Sequence, residues 1–134
     1  MSWQAYVDQN LVGTGKLNKA AIHGHDGTLW ATTQGFAVNT VNNNQINPNE
    51  VKTLASAFKD ASGIRASGLH LGGVKYIALR ADDRSIYGKK GQGGVVCVKT
   101  KQAILIGLYD EPIQPGEATK VVEGLADYLI SVSY

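Results

Sequence analysis

The chain has a single cysteine, Cys97, in 134 residues, so no disulfide can form within it. A lone thiol in the β-branched run VVCV reads as buried and inert, and it points to a reducing, cytosolic home. Long apolar runs are missing too. None approaches the roughly 20 residues needed to span a bilayer, and the opening MSWQAYVDQN has neither the basic start nor the apolar core of a signal peptide. Excess charge of one sign is scarce: 13 Lys and Arg against 11 Asp and Glu leave a net charge of +2, too little to mark a nucleic-acid binder.

Catalytic patterns are absent as well, with no HExxH, no GxSxG and no paired-carboxylate arrangement in the sequence. The stretch Gly88-Lys89-Lys90-Gly91-Gln92-Gly93-Gly94 lacks the Gly-Lys-Ser/Thr ending that opens a helix in a phosphate loop, and it joins two strand-like runs instead. His23 and His25 flank Gly24 and would share one face of a strand. No third ligand lies near them, so they read as hairpin histidines rather than a metal site. Asp82-Asp83 and Asp110-Glu111 fall in turns, where carboxylates are solvated. The chemistry expected of this chain is binding, with no enzyme activity, cofactor or metal.

What is present is an ordinary globular composition, 43% apolar and 18% charged, in a length that makes one domain over residues 1–134 and buries roughly two-thirds of its unfolded surface. The densest signal runs from Gly72 to Tyr109. Val74–Ala81, residues 85–89, residues 95–99 and Ala103–Tyr109 are apolar, β-branched or alternating runs, separated by Asp82-Asp83, a glycine cluster and Thr100-Lys101-Gln102. That is a four-strand β-meander, and its most apolar member, Ala103–Tyr109, requires helices packed on the sheet. Seven of the 13 basic residues lie between Lys75 and Lys101, against only Asp82 and Asp83.

Helices flank the meander. Ser2 is a good N-cap for a first helix in which Trp3 and Tyr6 share a face, ended by Gly13 and Gly15. Residues 19–25 and 28–33 make a hairpin turned at His25-Asp26-Gly27 and carrying Trp30. The Asn-rich stretch 39–49 is a polar loop. Asn47-Pro48-Asn49-Glu50 opens a second helix with the stripe Val51, Leu54, Ala55 and Phe58, ended by Gly63. Residues 64–71 read as a short strand or two. Beyond the meander, Gln114-Pro115-Gly116-Glu117 opens a last helix with the stripe Val121, Val122, Leu125, Ala126, Leu129 and Ile130. Strands joined by tight turns pair antiparallel, so the class is α+β.

Five blocks of this sequence, the opening SWQAYVD, the GTLWA strand, LGGVKYIALRADDRSIYGKKG, GVVCVKT and the close YDEPIQPGEATKVVEGLADYLISVSY, resemble profilin, notably the short profilins of yeasts and other fungi. The resemblance covers Ser2 to Tyr134. It implies a central antiparallel sheet with the N- and C-terminal helices on one face and smaller elements on the other. It also implies two protein-binding surfaces. One takes proline-rich segments, such as those of formin-like actin assembly factors, on Trp3, Tyr6, Trp30, Tyr128, Leu129 and Tyr134. The other takes monomeric actin on Arg80, Arg84, Lys89, Lys90, Lys99, Gly116, Thr119, Lys120 and Glu123. Phosphoinositide head groups would overlap the second surface at Arg80, Arg84, Lys89 and Lys90, as a peripheral membrane contact at most. The implied location is cytoplasmic, at the cytoskeleton. The physical chemistry agrees with the first assignment, because a preformed polyproline II segment lays its rings flat on aromatics while indole N–H and phenol O–H groups meet its free carbonyls. The alternative is a peripheral phosphoinositide-binding module without an actin role, which would have no use for a Trp/Tyr floor away from the basic strands.

Overall fold

A computed structural model describes residues 2–37 and 45–134 of the chain. An N-terminal helical segment α1 (residues 3–14) is followed by the hairpin β1 (Lys19–Gly24) and β2 (Leu29–Thr32). Two short helices, α2 (Pro48–Ala57) and α3 (Ser62–Ser67), lead into β3 (Leu69–Leu71), β4 (Val74–Ala81), β5 (Ser85–Lys90), β6 (Gly93–Lys99) and β7 (Ala103–Tyr109), and α4 (Pro115–Ser131) closes the order. The seven strands form one sheet in the order β2-β1-β7-β6-β5-β4-β3, with every neighbouring pair antiparallel. The meander therefore curls back until β7 lies against β1, from Lys19 opposite Leu108 to Gly24 opposite Ala103. That pairing brings the first and last helices to the same side.

Alternation of side chains sorts the core into two layers. Ala20 and Ile22 of β1, Val96 and Val98 of β6 and Leu105 of β7 are buried with Val7 and Leu11 of α1 and Val122, Leu125 and Leu129 of α4. Their neighbours Ala21, Val95, Cys97, Ile104 and Ile106 are buried with Val51 and Leu54 of α2 and Ile64 of α3. Cover on both faces explains why β6 and β7 are apolar throughout rather than alternating. Cys97 is fully buried, and burial pushes its thiol well above the usual range, so it is inert as expected.

Local chemistry sets the helix starts. The Asn47 side chain accepts from the main-chain N–H groups of Asn49 and Glu50, and Glu50 accepts in return from the Asn47 N–H, a complete capping box. The same carboxylate accepts from Gly72 N–H at 2.8 Å and Gly73 N–H at 3.2 Å, which ties α2 to the β3–β4 turn. The first helix is irregular: one α turn at Trp3–Ala5, π geometry over Tyr6–Leu11, then a tight 3-10 turn over Val12–Thr14 ended by Gly15 at φ 77°.

Two expectations are corrected. Residues 64–67 are not strand. The second helix stops at Ala57, and α3 covers Ser62–Ser67, with only Leu69–Leu71 extended. Its start is capped by the Asp60 carboxylate on Ser62 N–H, and Arg65 anchors it to the Ala81 carbonyl. Ile64 is the one β-branched residue in that stretch, and Arg65, Ala66 and Ser67 give no reason to extend. Second, the first strand ends one residue early, so His25 stands in the turn rather than in the strand. β1 ends at Gly24, and its register with β2 shifts between Ile22 and His23, where the extra residue is Trp30 of β2. His23 is fully buried and His25 is exposed in the turn. Tyr6, expected on the proline-binding surface, is 5% exposed. Of the Asn-rich loop, residues 39–44 lie outside the described residues.

Candidate functional site

The rings of the first helix, the hairpin and the last residues gather on the outer side of the α1/α4 layer. Trp3 is the centre, with ring centroids 5.7 Å from Tyr6, 4.9 Å from Trp30 and 5.6 Å from Tyr134. Tyr6 continues the row to Tyr128 at 6.4 Å. Tyr128 and Tyr134 are 51% and 43% exposed, and Trp3 and Trp30 are half-buried. Leu129 is fully buried, so it supports the rings from beneath and presents no surface of its own. Burial first, and then the neighbouring Tyr128 and Tyr134 phenols, raises the Tyr6 hydroxyl above its ordinary value, which keeps it a donor. Between Tyr6 and Tyr128 the row opens into a groove of about 300 Å³ bounded by Asn10, Val121 and Gly124.

Several polar contacts fix these rings. Gln4 and Thr32 exchange two hydrogen bonds, Gln4 Nε2 to the Thr32 carbonyl at 3.0 Å and Thr32 N–H to Gln4 Oε1 at 3.3 Å. β2 is an edge strand, and the Gln4 amide occupies its free ladder position, holding Trp3 against Trp30. A Cβ on Gly24 would lie 3.0 Å from the Trp30 ring, so the bare backbone there lets the indole lie across the end of β1. The Tyr134 main-chain oxygen accepts from Gln102 N–H at 2.6 Å and Thr100 Oγ1 at 2.9 Å. His25 Nε2 donates to the Thr100 and Ala103 carbonyls at 3.0 and 3.2 Å, bracing the same β6–β7 turn.

The residues expected on a second surface divide between the two sides of the sheet. Ser85 and Tyr87 of β5 face α4, where Ser85 Oγ donates to Glu123 at 2.7 Å and the Tyr87 hydroxyl donates to the same carboxylate. Arg84 bonds Glu123 at 3.0 Å and Asp127 at 2.7 Å. Glu123 therefore fastens α4 to the β4–β5 turn, and burial followed by this carboxylate pushes the Tyr87 phenol up to about 12. Arg80, in register with Tyr87, stacks on its ring at 5.4 Å and pairs with Asp82 at 2.9 Å. Lys89 lies on this side by strand alternation, and Thr119 and Lys120 stand on the adjoining turn of α4, after Gly116 in its first turn. Lys90 and Lys99 do not join them. Lys99 alternates with the buried Val95 and Cys97 of the α2 layer and lines a cavity with Lys52, while Lys90 falls beside Tyr76 of that layer.

Two residues of the outer face were missed in the sequence. Ile77 and Leu79 of β4 are 67% and 62% exposed, beside Arg80. Their run reads as sheet core, and only the register reveals that α4 lies over β6 and β7 and leaves β4 bare.

Comparison with known proteins decides the family. The Profilin family profile matches residues 1–134. The chain belongs to the profilin family. Profilin-1A of Acanthamoeba castellanii is 60% identical over 134 residues, covering 100% of both chains, and the profilin of Saccharomyces cerevisiae is 50% identical over 135 aligned positions with the same coverage. The crystal structure of Acanthamoeba castellanii profilin II superposes with a TM-score of 0.91 at 57% identity, over 99% of this chain and 100% of that one. Mouse profilin IIa, solved in complex with a double repeat from the FH1 domain of mDia1, matches over 100% of both chains with a TM-score of 0.77 at 25% identity. The fold is thus the profilin fold, with terminal helices on one face of an antiparallel sheet. Family membership, rather than anything missing from the structure, makes this profilin a binding protein and not an enzyme.

Proposed function

We propose that the chain binds proline-rich segments of partner proteins in the α1/α4 aromatic groove and monomeric actin on the face formed by α4 and the outer side of β4–β5, and so regulates actin filament assembly in the cytoplasm, at the cytoskeleton. The single observation that carries the reading is the row Trp30, Trp3, Tyr6 and Tyr128 with Tyr134 beside it, rings 4.9 to 6.4 Å apart and, apart from the buried Tyr6, partly or well open to solvent. A continuous aromatic strip flanked by phenol and indole donors suits a polyproline II helix, and the FH1-repeat complex of the mouse relative supports formin-like assembly factors as partners. Trp3 and Trp30 are the only tryptophans of the chain. A tryptophan-fluorescence titration with a polyproline peptide, against a Gly/Ser control, is expected to give a saturable change with proline alone. A flat trace would remove the reading.

Gln4→Ala deletes both bonds to Thr32 without touching a ring. Proline affinity is expected to fall about fivefold, roughly 1 kcal/mol for the lost hydrogen bonding, in the same titration. Unchanged affinity would show that Trp3 and Trp30 hold each other unaided.

For the second surface, the exposed apolar pair Ile77 and Leu79 next to Arg80 and Lys89 supplies what a protein partner needs, an apolar centre with a charged rim. Arg80→Glu is expected to weaken actin binding about tenfold, ~1.4 kcal/mol, and to leave polyproline binding unchanged. Loss of both activities would report misfolding instead. Phosphoinositide binding at Arg80, Arg84, Lys89 and Lys90 has less support. Both arginines already hold carboxylates, and the two lysines point to opposite sides of the sheet. The module without an actin role leaves the aromatic row without a purpose.

A further inference from the structure

We infer that the β6–β7 turn sets the affinity of the aromatic groove for its ligand. Thr100, Gln102 and His25, which lie outside the aromatic row, are positioning residues that hold Tyr134 against Trp3. This rests on the groove reading given above and adds residues to it.

The path of the chain after α4 calls for such a device. Ser133 N–H donates to the Ile130 carbonyl at 3.1 Å and Tyr134 N–H to the Leu129 carbonyl at 2.8 Å, the pair of bonds that ends a helix in a left-handed turn. Glycine is the usual residue at the left-handed position, because a Cβ there crowds the backbone. Here the position is Ser133, at φ 71°, the one non-glycine residue with positive φ among the described residues. A residue strained in this way keeps its conformation only where its surroundings over-determine it. The outcome of the strained turn is the placing of Tyr134, with its ring centroid 5.6 Å from that of Trp3.

Tyr134 does not keep this place unaided. Its ring is 43% exposed, and its one ring partner among the described residues is Trp3. A residue beyond a helix end frays unless something ties it, and a single exposed aromatic pair gains little against that disorder. The ties come from the β6–β7 turn. Gln102 N–H and Thr100 Oγ1 donate to the Tyr134 main-chain oxygen at 2.6 and 2.9 Å. Thr100 is buried, and its hydroxyl accepts from Ala103 N–H at 3.0 Å while it donates to Tyr134. The accepted bond leaves the hydroxyl proton free to point at Tyr134. His25 Nε2 braces the turn from outside, at 3.0 and 3.2 Å from the Thr100 and Ala103 carbonyls. Both partners are acceptors, so the imidazole nitrogen is the donor.

The test is a double-mutant cycle on polyproline affinity in the full chain, read by tryptophan fluorescence. T100V keeps the side-chain shape and removes the hydroxyl. Its affinity is expected to fall about fivefold, and that of T100S to stay within about twofold of wild type. H25A, at an exposed position, is expected to lose about threefold. Y134A lowers affinity about tenfold, and on that background T100V and H25A should cost nothing further, because the residue they act through is gone. If loss of the Ala103 N–H partner unfolds T100V, H25A decides by itself. Losses that persist without Tyr134, or wild-type affinity in both T100V and H25A, would overturn the inference. The Trp3 indole N–H resonance gives a readout without ligand, and T100V and H25A are expected to move it toward its position in Y134A. That movement in a wild-type protein that binds no polyproline would remove the groove reading and the control of it. Polyproline binding with an unmoved Trp3 signal in both variants would remove the positioning alone.

Discussion

Trp3→Ala abolishes most polyproline binding, lowering affinity about 100-fold, ~2.7 kcal/mol, while the protein stays folded. Among the described residues Trp3 is the only ring that touches three others, Tyr6, Trp30 and Tyr134, so its removal cuts the aromatic strip in the middle rather than trimming an end. It is also only half-buried and stands on the first turn of α1, whereas Val7 and Leu11 of the same segment are fully buried. The packing of α1 against the sheet therefore survives on those two residues, and the loss of stability should stay near 1–2 kcal/mol, small for a tryptophan. The check is a fluorescence titration through Trp30 together with urea unfolding. Retained affinity would sink the groove assignment. Cooperative unfolding at a much lower urea concentration would mean that the ring is a core residue.

A second large effect appears on acidification. His23 is fully buried and neither ring nitrogen has a hydrogen-bond partner among the described residues. Burial lowers its pKa from 6.5 to about 4, offset in part by the Gly27 main chain nearby. The native protein thus binds fewer protons at this site than the unfolded chain over that interval. Stability is fully present above about 6.5 and declines as pH falls from there toward 4, by up to about 3 kcal/mol. Asp26, Asp60 and Asp82 are held below the usual carboxylate range chiefly by turn N–H groups. Their contributions are lost only below the unfolded carboxylate value of 3.8, so the two windows separate. Urea midpoints between pH 7 and 4.5 should fall steadily in the wild type and much less in His23→Leu, which removes the titrating ring and keeps an apolar side chain. Parallel slopes for the two proteins would clear His23.

The aromatic row was legible in part because Trp3 and Tyr6 fall three apart on one helical face. Its central geometry was not, since nothing local to Trp3 or Tyr134 says that β7 pairs with β1 and draws the termini together. The helices with strong start signals, Asn47-Pro48 and Gln114-Pro115, appear where those signals place them. α3 was missed because its cap comes from a side chain two residues upstream, Asp60, in a stretch with no helical period long enough to read. The basic residues of the meander were correctly seen as concentrated between Lys75 and Lys101. Counting charge along a strand, however, cannot say which face each side chain takes or that Arg84 is already satisfied by Glu123 and Asp127 on a helix some 40 positions later.

The closure of β7 on β1 has a mechanical consequence. It seats Trp3 and Tyr134, which lie at opposite extremes of the sequence, with ring centroids 5.6 Å apart. A rod-like ligand lying across Trp3, Tyr6 and Tyr128 grips α1 and α4 together, so a pull that draws the two ends apart must break the ligand's own contacts before it reaches the sheet. On the proposed reading, an occupied groove would act as a clasp between α1 and α4.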